Sequence, residues 1–186
     1  MDSSGAEDFK PHPHNFSPAS VPLLDQKQEA YNSLISPWLG VMTAQTFTAG
    51  ISGMLRFVEV NLSLPGKLGA VRMFLLSTEE GAPGGQDEHV LLRSEILAVA
   101  NGWNAFDFSD THIGLTVGRQ YAILLQPLSA CEWRVESGRK AYARGALFER
   151  WGDGPWEVSR PPADAAFRTY VEGFRSAASP GWGEPG

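Results

Sequence analysis

The run AQTFTAGISGMLRFVEVNLSL, residues Ala44 to Leu64, decides the fold. It divides at Ala49-Gly50-Ile51-Ser52-Gly53, a short turn with two glycines. Before the turn, Val41 to Thr48 reads as a strand. After it, Met54, Val58, Val60, Leu62 and Leu64 share one parity, while Arg56, Glu59, Asn61 and Ser63 supply most of the polar positions. Alternation with a period of two, in a segment rich in β-branched residues, marks a strand with one buried face.

Working outward, the same pattern repeats. Further strands are expected at 70–77, 89–99, 103–109, 120–127, 131–136, 144–150 and 165–172. Turn chemistry separates them: Pro65-Gly66, Gly81-Ala82-Pro83-Gly84-Gly85, Asn101-Gly102, Val117-Gly118 and Gly152-Asp153-Gly154-Pro155. Residues 21–32 read as a strand or a short helix, and Ser36-Pro37-Trp38-Leu39-Gly40 as a loop. Short strands at close spacing, without a long amphipathic helix, predict an all-β chain folded as an antiparallel sandwich or barrel.

The 186 residues suffice for one domain with tails. Residues 1–21 form a polar, proline-broken arm, 22–173 the sandwich and 174–186 a Ser/Pro/Gly-rich tail. The arm carries too little apolar surface to order alone, so its natural anchors, Phe9 and Phe16, imply a surface that receives them. A net charge of −6 and no Lys/Arg run argue against a nucleic-acid partner. No segment approaches the ~20 apolar residues of a membrane helix. The start MDSSGAEDFKPHPHNF has no apolar signal core, so synthesis in the cytoplasm is expected. The single cysteine, Cys131, excludes an intrachain disulfide and reads as a buried structural thiol.

These segments carry a resemblance. LDQKQ (24–28), AQTFTAG (44–50), VRMFL (71–75), GAPGG (81–85), GWNAFDFSD (102–110), LTVGRQYAILL (115–125), RGALFERWGDGPWE (144–157) and ADAAFRTYVEG (163–173) together resemble jelly-roll β-sandwich domains of bacterial surface proteins and phage structural proteins. The resemblance spans roughly 22–173 and implies the fold more than the function. Many such domains carry a secretion signal and an anchor. Without either, this chain is expected in a virion or other extracellular particle, as a capsid decoration, capsid-stabilising or tail component. Its partners would be other subunits of the assembly, itself a homo-oligomer with a trimer favoured, and its alternative role a carbohydrate-binding module on a surface glycan.

Candidate binding residues follow from the aromatic positions. In 103–109, Phe106 and Phe108 face the core, which leaves Trp103, Ala105 and Asp107 outward; a Trp beside an Asp suits a sugar ring or a protein interface. Trp151 and Trp156 flank Asp153 at a hairpin tip and either meet a ligand or pack on the sheet. Trp38 and Trp182, in Gly/Pro-rich segments, suit contacts between subunits.

The chemistry-bearing residues make no catalytic set. Glu79-Glu80 border a turn and point apart. His12 and His14 lack further ligands. Asp107, Asp110 and His112, or Asp87 and Glu88, lack the spacing of a calcium loop. No nucleophile elbow, zinc-protease or phosphate-loop motif is present. The expectation is a protein that is not an enzyme, with no cofactor and no metal.

Overall fold

In the computed structural model the described residues are 21–36, 41–66, 68–84, 90–93 and 97–174. They form β1 (Leu23–Gln28), β2 (Ser33–Ile35), β3 (Val41–Thr48), β4 (Gly53–Ser63), β5 (Gly69–Glu79), β6 (Ala82–Pro83), β7 (Val90–Arg93) and β8 (Leu97–Val99). The chain continues through β9 (Gly102–Asp107), β10 (Gly114–Leu115), β11 (Gln120–Pro127), β12 (Glu132–Ser137), β13 (Leu147–Trp151), β14 (Glu157–Val158), β15 (Ala163–Ala165) and β16 (Phe167–Gly173). No helix occurs among the described residues, so none there is long and apolar enough to cross a membrane.

Two antiparallel sheets pack as a sandwich. In the first, β1 pairs β16, β16 pairs β4, and β9 and β10 pair β4. Val58 and Val60 are each paired to both β16 and β9, which places those two strands on opposite edges of β4. β12 takes up the last residues of β4 and leads to β2 and β15. The second sheet runs β14–β13–β3–β11–β5, with β7 and β8 on β5. With β7 and β8 taken as one interrupted strand, the main strands read β1–β16–β4–β9 and β3–β11–β5–β7/β8. This order is compatible with a jelly roll.

The core lies between the sheets. Leu55, Val58, Val60, Leu62, Phe106, Phe108 and Trp133 from one meet Phe47, Val71, Met73, Leu75, Ile123 and Leu125 from the other, all buried. Phe47 touches Tyr121 at 5.8 Å and Phe167 at 5.9 Å between ring centroids, so it bridges both layers. The β3–β11–β5 sheet is apolar on its outer face too: Ala44, Phe74, Leu76, Ala122 and Leu124 are buried there, with Met42 and Trp156 packed against them.

Several expectations need correction. The residues of β4 do not keep one parity. Tyr170 pairs with Phe57 but Val171 with Leu55, so Arg56 is an extra residue in the ladder. A bulge shifts the alternation by one. Leu55 therefore faces the core where Met54 was expected, and Met54 is half-buried. The segment 21–32 contains strand, not helix. The strand expected at 89–99 is two pieces, β7 and β8, with 94–96 outside the described residues. The strand expected at 144–150 begins only at Leu147. The strand expected at 165–172 divides at Ala166, whose N–H donates to the Arg134 carbonyl at 2.8 Å while its own carbonyl accepts the Trp133 indole N–H at 2.9 Å.

The late start of β13 has a steric reason. At Gly145 a Cβ would fall on the Thr46 carbonyl and lie 3.0 Å from Tyr142. This is a close approach of two backbones, locked by the Thr46 N–H donating to the Ala146 carbonyl at 2.9 Å. Gly145→Ala is expected to cost about 2 kcal/mol, a typical overpacking penalty. Unfolding in urea measures it, and an unchanged midpoint would show that the loop yields freely.

Candidate functional site

Alternation along three neighbouring strands builds the most featured surface of the first sheet. Across it, Tyr170, Phe57 and Asp107 stand in one row, Arg168, Glu59 and Ala105 in the next, and Asn61 and Trp103 in a third. Between the flanking side chains of Trp103 and Asp107, Ala105 contributes only a methyl group. The result is a depression of about 430 Å³ lined by Pro22, Phe57, Glu59, Ala105 and Tyr170.

Its polar side chains are held in place. Arg168 Nη1 lies 3.0 Å from Glu59 Oε2, its Nε lies 2.7 Å from Glu29 Oε1, and the guanidinium stacks 4.0 Å from the centre of the Trp103 ring. The Tyr170 hydroxyl donates to the same Glu59 Oε2 at 2.9 Å. Glu29 also pairs with Lys27 at 2.9 Å. Arg56 Nε donates to Glu172 at 2.7 Å and its Nη1 to the Ser109 carbonyl at 2.6 Å.

The charges follow from these contacts. Burial pulls the Arg168 pKa down, but hydrogen bonds to Glu59 and Glu29 and their charges leave it raised. Burial raises the Tyr170 pKa, and its hydrogen bond and proximity to Glu59 raise it further. Hydrogen bonds from Lys27 and then Arg168 lower the Glu29 pKa. All three residues are thereby kept in the form that preserves the network.

The sequence-derived candidates fall in different places. Trp103 and Asp107 face outward as expected, two residues either side of Ala105 in β9. Trp103 is half-buried, with Arg168 across its ring. Asp107 is exposed and closes a local turn by accepting the Ser109 N–H at 2.8 Å; hydrogen bonds from Ser109 lower its pKa. Trp151 is 70% exposed, and Asp153 in the adjoining turn is exposed too. Trp156, half-buried, packs on the outer apolar cluster of the second sheet, under Arg150 at 5.0 Å. The three rings thus belong to two sheets and form no common platform. Phe9, Phe16, Trp38 and Trp182 lie outside the described residues, as do His12, His14, Asp87 and Glu88.

No protein-family model matches this chain, and no curated protein matches it. The site must therefore be judged from its own chemistry.

Glu79 and Glu80 are both exposed at a two-residue turn, where Glu80 and Gly81 have φ of 49° and 86°. Asp110 and His112 are exposed near Asp107. Among the described residues no group of three or more His, Cys, Asp or Glu side chains is placed to hold a metal ion. Cys131 is buried, and desolvation together with the charge of Glu132 pushes its thiol up to about 11. It stays protonated at neutral pH and is a poor nucleophile there. It lines a second, largely apolar groove of about 490 Å³ with Ser36, Pro65, Pro127, Leu128 and Ser129. Reading the sequence overlooked Phe57, Glu59, Arg168 and Tyr170 as site residues. The signal for Glu59 was its polar place in the β4 alternation, and for Arg168 and Tyr170 the same alternation in β16.

Proposed function

We propose that this protein is a non-enzymatic structural subunit of a larger particle, a virion component that decorates or stabilises a capsid or belongs to a tail. It assembles as a homo-oligomer, a trimer by preference, through its N-terminal arm and the sandwich edge that follows the arm. One observation carries the reading. Among the described residues β1 has a single neighbour, β16, and is an edge strand. Its first residues carry exposed apolar side chains: Leu23 is 55% exposed and Leu24 43%, and Val21, just before the strand, is 80% exposed. An open edge strand that begins with exposed apolar side chains invites pairing at that end and is a liability in a protein that remains alone. In an assembling subunit it is a joint. The arm leads directly into it and can add contact area as it orders on a neighbour. The resemblance to phage structural domains supports the virion setting.

Deletion of residues 1–20 is the test. Light scattering is expected to give an oligomer for the full chain and a single-chain mass for the truncated one, with the far-UV spectrum of a β-sandwich in both. The truncated chain is also expected to lose its place on the particle. A monomeric full chain, or equal masses before and after truncation, would sink the proposal.

A further inference from the structure

We infer that the depression over Ala105 binds a neutral pyranose ring, the terminal or internal sugar of a glycan. The inference goes beyond the assembly reading and does not rest on it.

The hydrogen-bond network leaves acceptor capacity unused. Both hydrogen bonds to Glu59 reach Oε2. Oε1 accepts none from any described residue, and Glu59 lines the depression. Tyr170, whose hydroxyl donates to Glu59, lines the same depression and keeps its oxygen as an acceptor. Two fixed acceptor oxygens side by side match a pair of neighbouring hydroxyl groups, each of which can donate. The walls supply the other half of the match. Phe57 and Tyr170 are cross-strand partners on the outer face, and Pro22 lines the same space. Aromatic side chains beside a polar pair suit a ligand with an apolar C–H face and a hydroxylated rim. The side chains need no rearrangement, because Arg168 is stacked on Trp103 and tied to Glu29 before any ligand arrives.

The same geometry argues against a cation. The Glu59 charge is already matched by Arg168 at 3.0 Å. A lysine or arginine from a partner would approach a carboxylate whose positive neighbour is in place. A neutral polyol needs only the lone pairs.

The test uses the full chain, labelled with ¹⁵N, titrated in separate samples with oligomers of glucose, of galactose and of N-acetylglucosamine, and with tetralysine. At least one of these sugars is expected to shift the amides of Ala105 and Tyr170 and the indole N–H of Trp103, saturably. Ala105→Leu fills the depression at an exposed strand position. It is expected to weaken that sugar at least about tenfold, a difference of about 1.4 kcal/mol, while signals of the opposite sheet stay in place. Glu59→Gln keeps the shape and is expected to weaken binding as well. The chain lacking residues 1–20 is expected to bind as the full chain does, which separates this inference from the assembly reading. Failure of all three sugars, equal binding by Ala105→Leu, or binding of tetralysine alone would overturn it.

Discussion

Trp133→Ala is expected to destabilise the protein by about 5 kcal/mol, the sum of a large core truncation and a lost buried hydrogen bond. Trp133 is fully buried in β12 and belongs to the core between the sheets. Its indole N–H donates at 2.9 Å to the Ala166 carbonyl, which also accepts the Asn61 N–H at 3.2 Å. The Trp133 side chain thus fills the core and ties β12 to the point where β15 passes into β16, which the Asn61 N–H of β4 also reaches. A marginally stable domain has about 5–15 kcal/mol in all, so the variant should lie close to unfolding at room temperature. Trp133→Phe keeps most of the volume and loses the donor, and it should fall between the two. Urea unfolding followed by far-UV circular dichroism measures all three chains. A loss below about 2 kcal/mol for the alanine variant would mean that the core collapses around the gap and that Trp133 is not tightly packed.

The fold was legible where local chemistry is unambiguous. Val41–Thr48 and the strand at 120–127 have the bounds read from the sequence because continuous β-forming segments end at Gly-containing turns. Legibility failed where pairing depends on distant residues. Nothing in MLRFVEV announces that Arg56 is extra in the ladder; the bulge exists because β16 pairs with β4 on both sides of it. The division of 163–173 is of the same kind. Ala163–Ala165 pairs with β12, and Phe167–Gly173 pairs with β1 and β4, partners between 26 and 148 residues away by sequence number. Periodicity reports which face is apolar and is silent about which strand lies alongside.

The candidate site repeats that lesson at the level of side chains. Trp103 and Asp107 could be picked out because a tryptophan on the outward parity is conspicuous within a single strand. Glu59 and Arg168 could be read as solvated charges, and nothing in either segment says that they meet. Their meeting is a product of register, since Glu59 is the Cα partner of both Arg168 and Ala105. The small residue that makes room for a ligand is legible only once its neighbours are known. The arm is the converse case: its composition requires a receiving surface but does not say which one.

Asp164→Ala should be the second most damaging change, at about 4 kcal/mol, because it strands two backbone donors in the interior. Asp164 has no exposed surface, and its Oδ2 accepts the N–H groups of Ala141 and Tyr142, each at 2.8 Å. Those bonds fix the loop that sets Tyr142 edge-on against Phe167 at 5.2 Å and lets its hydroxyl donate to Gln26 of β1 at 2.8 Å. The loss would therefore loosen the edge strand proposed as the joint, and oligomer mass should fall together with stability. Asp164→Asn retains an acceptor oxygen for both N–H groups and should cost much less. The two variants also separate in pH. Burial raises the Asp164 pKa above its ordinary 3.8, against the pull of the two donors, and its Oδ1 is buried without a hydrogen bond. A carboxyl whose folded pKa is raised stabilises the fold fully below its unfolded pKa, and that contribution is lost as pH rises through the folded value. The wild-type chain should accordingly lose stability on going from about pH 4 toward neutrality relative to Asp164→Asn, which has no proton to release at this site. Urea midpoints measured across that window decide the matter. If the difference between the two proteins stays constant with pH, Asp164 does not titrate against burial, and the loop is held by geometry alone.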